Sequence, residues 1–164
     1  MENNSNITVE EGINYKFLQS NGFSFKAFSK TTDNVDIILA EPQKIVAMIE
    51  LLKKHPETQF DLLMSVSGTD FSEYIELTYH LFSSVNSGEV ILKTRLERNN
   101  PEIASISFIY TTANWHERET YDLLGVKFSN HPNLKRILLP EEWKGHPLRK
   151  DYKMEDERLV WNQR

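Results

Sequence analysis

Three prolines constrain how the C-terminal part of this chain can fold. Pro132, Pro140 and Pro147 fall within a stretch that also carries Leu134, Ile137, Leu138, Leu139, Trp143 and Leu148. Proline breaks helix interiors and removes a donor from a sheet ladder, so neither a long helix nor a central strand fits. A segment so apolar and so interrupted cannot bury itself. It needs a surface to lie on, either its own domain or that of a partner protein.

Just ahead of it, Asn114 to Gly125 reads as a short helix. Asn114 is placed to cap it, with Glu117 as the returning acid of a capping box. Gly125 stands where a left-handed C-cap residue belongs. Trp115, Arg118, Glu119 and Asp122 recur on one face, and Arg118 and Asp122 are four apart, the spacing of a helical ion pair.

These residues resemble one family closely. Glu117 to Gly125 (ERETYDLLG), His131 to Pro140 (HPNLKRILLP) and Trp143 through Gly145, His146, Pro147, Leu148, Arg149, Lys150, Asp151 and Tyr152 look like the signature of the 30-kilodalton-type subunit of respiratory complex I, NADH:quinone oxidoreductase. In bacteria this is the C subunit; the photosynthetic relative is the J subunit. The match is densest over 114–152 and weaker back to about residue 35. Leu124 stands where the family usually has phenylalanine, Ser129-Asn130 replaces the commoner glycine before His131-Pro132, and Lys153 stands where many members have proline. His146 fits the respiratory form, since the photosynthetic form typically has tryptophan there.

The resemblance implies a non-catalytic structural subunit of the peripheral arm of a proton-translocating enzyme. It implies no catalytic, cofactor or metal residue in this chain, with FMN, iron–sulfur clusters and quinone in neighbouring subunits. The partners would be the large quinone-site subunit and adjacent iron–sulfur subunits, on the cytoplasmic side of the cell membrane. The signature residues, Trp115, Glu117, Arg118, Glu119, Asp122, Gly125, His131, Pro132 and Arg136 together with the 143–152 set, would form the partner interface or its structural frame. Trp143, Leu148 and Tyr152 would be anchors, with Arg149 forking onto a carboxylate-lined groove. A ferredoxin-linked or hydrogenase-type membrane complex is the alternative setting.

Composition narrows the chemistry independently. The chain has no cysteine, which removes disulfides, thiolate-held iron–sulfur clusters and CxxC zinc sites. A net charge of -5 argues against a nucleic-acid binder. No apolar run reaches the length of a membrane span, and the polar, acidic start lacks the pattern of a signal peptide, so a peripheral protein is expected. His116, Glu117, Glu119, His131 and His146 could be read as the metal site of a stand-alone enzyme, but no two histidines have zincin spacing. Glu119 and Asp122 could act as acid and base, yet the same face carries its own arginine, which favours an ion-pair network. There is no GxSxG, no GxGxxG and no Walker loop.

The remainder reads as an α+β domain over 1–128, followed by an extended arm over 129–164. Thr8 and Glu11 form a second capping box before a helix carrying Ile13, Phe17 and Leu18, which Asn21-Gly22 ends. Phe23 to Ala27 and Val35 to Ala40 read as strands. Pro42 opens a helix with Ile45, Met48, Ile49 and Leu52 on one stripe, closed by His55-Pro56. Phe60 to Val66 reads as a central strand, Ser67 to Asp70 as a turn, and Tyr74 to Phe82 and Val90 to Leu96 as a hairpin about Asn86-Ser87-Gly88. Ile103 to Tyr110 fits either strand or helix lead-in. The expected architecture is a mainly antiparallel sheet with helices on one face. The arm is expected to be disordered without its partner.

Overall fold

A computed structural model describes residues 11–153. A five-stranded sheet of order β1-β2-β5-β4-β3 is built from β1 (Ala27–Lys30), β2 (Asp36–Leu39), β3 (Leu62–Asp70), β4 (Tyr74–Ser83) and β5 (Gly88–Glu97). Within this sheet β2/β5 is the one parallel pair and the other three are antiparallel, in keeping with the mainly antiparallel expectation. The helices are α1 (Ile13–Ser20), α2 (Pro42–Lys54) and α3 (Ala113–Leu124). Two short strands, β6 (Glu102–Ala104) and β7 (Lys127–Ser129), pair in parallel on either side of α3 in the chain.

Alternation sets the inner face of the sheet. Ile75, Leu77, Tyr79 and Leu81 on β4 are buried, as are Val90, Leu92 and Leu96 on β5. The α2 stripe Ile45, Met48, Ile49 and Leu52 joins this core as the periodicity predicts. The opposite face carries Glu76 paired with Lys93 and Arg95, and His80 paired with Glu89, so it is polar and internally neutralised.

Several local readings are corrected. The first strand begins at Ala27, because Phe25 and Phe28 pack on Tyr15 with centroids 5.0 and 4.6 Å away. The N-terminus of α1 is capped across the fold by the Asp36 carboxylate, which accepts from the amides of Asn14 (3.0 Å) and Tyr15 (3.3 Å). Thr8, the expected cap, lies outside the described residues. A side chain at Gly12 would collide with Asp36, its Cβ falling 1.6 Å from Oδ1. The third strand is an edge strand and runs on through Ser67 to Asp70. Gly68 there serves packing and not a turn: a Cβ would fall 2.5 Å from Leu124 Cδ1 and 3.1 Å from Thr120 Cγ2. The turn comes at Ser72 (φ 70°), whose amide donates to Asp70 Oδ1. The ambiguous 103–110 stretch is a short strand followed by a tight turn in which the amides of Ile109 and Tyr110 both donate to Ile106 O.

Candidate functional site

The signature helix α3 starts at Ala113, so Asn114 lies inside it, and the Thr112 side chain at the N-cap makes no capping bond. The preceding tight turn feeds the helix directly, with Ala113 N donating to Tyr110 O and Asn114 N to Thr111 O. Glu117 is therefore not part of a capping box. Its side chain is fully buried and accepts from Ser105 Oγ (2.6 Å) and Ile106 N (2.7 Å). Burial pushes its carboxyl up, against the pull of these two donors.

Arg118 and Asp122 do not pair either. Arg118 stacks over the exposed Trp115 ring at 4.9 Å and donates to the carbonyls of Lys135 (3.1 Å) and Arg136 (3.4 Å). Asp122 is fully buried and takes its counter-charge from beyond the helix. Arg136 Nη1 lies 2.7 Å from Oδ1, and the successive amides of Ile137 (2.9 Å), Leu138 (2.8 Å) and Leu139 (3.1 Å) all donate to Oδ2. Burial pushes this carboxyl up, but the Leu138 amide, the Arg136 guanidinium and the other two amides hold it below the usual carboxylate range. Glu119 is exposed and shares no site with Asp122.

The last carbonyls of a helix lack intrahelical partners. Here the arm supplies them. Asp122 O accepts from Arg136 Nη1 (3.0 Å) and from His146 Nδ1 (2.9 Å), Leu123 O from Leu148 N (3.0 Å), and Leu124 O from Arg149 Nε (2.7 Å). Two guanidinium groups thus sit at the negative helix end, where cations are favoured. Arg149 caps the helix through Nε. Arg136 also binds the carbonyls of Trp143 (3.0 Å) and Gly145 (3.1 Å), closing a loop of the arm around one side chain. Gly125 is left-handed as expected (φ 75°), and a Cβ there would fall 2.5 Å from His146 Nε2. His146 is held neutral-leaning: burial pushes it down, with Arg136 and Arg149 adding to the effect against its bond to Asp122 O.

A second anchor holds the far end of the arm. Asp70, at the end of β3, takes a fork from Arg98 through Nε and Nη2, both 2.8 Å. Lys150 N donates to Asp70 Oδ2 at 2.9 Å, and Arg98 continues to Asp151 at 3.1 Å. The Arg98 fork holds the Asp70 carboxyl far below the usual range, and Arg98 likewise lowers Asp151. Asp70 and Arg98 lie outside the signature and are invisible to motif reasoning; a buried acid at a strand end facing a loop arginine has no local pattern.

The root of the arm is fixed by His131. Its buried ring lies 3.8 Å from Glu117 Oε2, with Nε2 donating to Asn114 O (3.3 Å) and Nδ1 accepting from Asn133 N (3.0 Å). Pro132 is exposed and Pro147 half-buried; Trp143 and Tyr152 are half-buried, Tyr152 packed against Gly145. Through residue 153 the arm thus lies on its own domain, the first of the two surfaces anticipated for it. Left facing outward are Phe108 (76% exposed), Trp115 (62%), Leu138 (60%) and Leu148 (58%). Among the described residues no group of three His, Asp or Glu side chains is arranged to hold a metal, and no helix is long and apolar enough to cross a membrane.

Known proteins share both this sequence and this fold. The family model for the respiratory-chain NADH dehydrogenase 30 Kd subunit matches residues 38–158. The C subunit of NADH-quinone oxidoreductase from Roseiflexus sp. (strain RS-1) is 38% identical over 127 residues, covering 76% of this chain and 73% of that protein. Its counterpart in Moorella thermoacetica is 40% identical over 123 residues, covering 74% and 81%. The C subunit of F(420)H(2) dehydrogenase from Methanosarcina mazei is 50% identical over 97 residues, covering 57% and 61%. Two solved structures have the same fold. The Nqo5 trypsin-resistant fragment (1-134) has a TM-score of 0.60 at 18% identity, covering 73% of this chain and 95% of the fragment. A chain of the membrane-bound sulfane sulfur reductase, an archaeal respiratory membrane complex, has a TM-score of 0.72 at 24% identity, covering 85% and 84%. The chain belongs to the family of the respiratory-chain NADH dehydrogenase 30 Kd subunit.

Proposed function

We propose that this chain is a non-catalytic structural subunit in the peripheral arm of a quinone-reducing, proton-translocating complex of the NADH:quinone oxidoreductase type. Its task is to hold the large quinone-site subunit in place and to support assembly. One observation carries the reading. The charged signature side chains Glu117, Arg118, Asp122, Arg136 and Arg149 all make contacts within the chain, whereas the apolar Trp115, Leu138 and Leu148 face outward. Polar groups so engaged frame a surface; they do not perform chemistry on a substrate. The exposed apolar side chains on a rigid frame suit an interface with another protein.

Under this reading FMN, iron–sulfur clusters and quinone belong to neighbouring subunits. The chain lies on the cytoplasmic side of the membrane, peripheral to it, and the 129–164 arm completes its docking on the partner. The identity with the F(420)H(2) dehydrogenase protein supports a second reading in which the complex takes electrons from a donor other than NADH.

The test is genetic replacement of the native chain by a Leu138→Asp, Leu148→Asp variant, with the peripheral arm resolved on native gels. Loss of the assembled arm, with the variant chain itself folded and soluble, is the expected result. Normal assembly would refute the interface assignment. Purification of the tagged wild-type complex identifies the donor by whether flavin-bearing NADH-oxidising subunits accompany it.

A further inference from the structure

Glu117 frames the docking surface without reaching it and, like Asp122, is a fully buried acid. Its carboxylate has no arginine or lysine within ion-pair distance among the described residues; the nearest basic group is His131 at 3.8 Å. That imidazole already uses both nitrogens in the neutral form, donating through Nε2 to Asn114 O and accepting at Nδ1 from Asn133 N. Ser105 Oγ lies 2.6 Å from Glu117 Oε2 and 2.7 Å from Ser107 Oγ, and accepts from Ser107 N at 3.1 Å. Ser105 and Ser107 are 7% and 8% exposed where Glu117 is 0%, so a chain of two hydroxyls leads from the fully buried carboxylate to residues that keep a little solvent contact.

We propose that Glu117 is the acceptor of a buried proton-binding site, loaded from the surface through the Ser107–Ser105 hydroxyl pair. In the unloaded state Ser107 donates to Ser105 and Ser105 donates to the carboxylate. A proton arriving at Ser107 Oγ displaces that hydroxyl's own proton to Ser105, and the Ser105 proton passes to Glu117 Oε2. The chain then runs in the opposite direction, from Glu117 to Ser105 to Ser107. No bond between heavy atoms changes, and one proton enters. Ile106 N donates to Oε1 in both states. The Glu117 carboxyl and the Ser105 hydroxyl are thus hydrogen-bonded before and after loading, while the loaded site leaves no unpaired charge in the core.

The groups facing the site agree. Tyr79 on β4 has a buried hydroxyl with no partner among the described residues and is pushed up by burial and then by the charge of Glu117. His131 is pushed down by burial, with Arg118 adding to the effect against its bond to Asn114 O. Burial pushes Glu117 up more than Ser105 and Ile106 draw it down.

The experiment follows the Glu117 carboxyl carbon and the His131 ring nitrogens by NMR during a pH titration of the full-length chain, with Glu117→Gln identifying the resonance. The expected result is a carboxyl that titrates above the ordinary Glu value while His131 keeps its Nε2–H form. Ser105→Ala removes a donor to the carboxylate and moves the midpoint further up, by about half a pH unit or more. Ser107→Ala slows proton exchange and turns an averaged carboxyl resonance into a split one. Titration at or below the ordinary value, imidazolium forming first on His131, or a midpoint unmoved in Ser105→Ala would each overturn the site. Unchanged exchange in Ser107→Ala would overturn the relay.

Discussion

Two buried carboxylates sit five positions apart on one helix and are treated in opposite ways. Asp122 receives a guanidinium and three successive backbone amides. Glu117 receives one hydroxyl and one amide, and its neighbouring imidazole is neutral in its hydrogen bonds. The same burial therefore ends in a lowered carboxyl at one site and a raised one at the other. The difference lies in who supplies the donors. Asp122 faces the arm, a proline-interrupted chain with no internal ladder and amides to spare. Glu117 faces the turn after β6, which offers it one hydroxyl at Ser105 and one amide at Ile106. Burial alone fixes neither charge state; the number and charge of donors does.

The largest expected effect is at the arm side. Asp122→Asn leaves the Arg136 guanidinium without its counter-charge in a nearly enclosed site, and should cost about 3 kcal/mol or more by urea unfolding. If the loss were within experimental error, the nest of amides would not be holding the arm. Gly125→Ala comes next. It places a Cβ in a left-handed conformation against His146, for about 2 kcal/mol, and should weaken arm attachment before it weakens the sheet.

The core side should behave in the opposite sense. Gln at 117 can accept from Ile106 N and donate to Ser105 Oγ without carrying a charge. Glu117→Gln is therefore expected to be neutral or stabilising by about 1 kcal/mol at neutral pH. A destabilisation as large as that of Asp122→Asn would erase the contrast.

Acid separates the two sites further. Asp122 is lowered in the fold, so its contribution is present above the ordinary Asp value and is lost as pH falls through its lower folded value. Glu117 is raised, so its charged form opposes folding, and stability declines as pH rises from the ordinary Glu value through its higher folded value. Stability curves of the two variants against pH should cross wild type with opposite slopes. Asp151→Asn is the smallest change. Its carboxylate is exposed, so added salt should mask whatever the variant loses.

Much of this is legible in the residues and some of it could not be. The α2 stripe and the β4/β5 hairpin depend on local periodicity and turn chemistry, and both stand where the pattern places them. Gly125 is legible as a left-handed cap for the same reason. The third strand is misread because Gly68 next to Ser67 and Asp70 has turn composition, whereas the glycine exists to admit Leu124 from α3. The capping-box and Arg118–Asp122 readings fail together. Both assume partners within one helix, while Glu117 finds its partners in the 105–106 turn and Asp122 finds its in the arm. Asp70 and Arg98, separated by 28 positions, meet only in the fold. Local sequence spacing predicts contacts within an element; it is silent on a carboxylate whose partners lie in another.

The most direct test of arm docking is hydrogen exchange at the amides of Ile137, Leu138, Leu139 and Leu148 in the isolated full-length chain. These four donate to Asp122 Oδ2 or to the Leu123 carbonyl. Docking of the arm on its own helix predicts that all four are protected without any partner, and that Asp122→Asn releases the first three. Exchange at the rate of an open chain in the isolated protein would contradict it, and would mean that the arm is ordered only by the protein it binds.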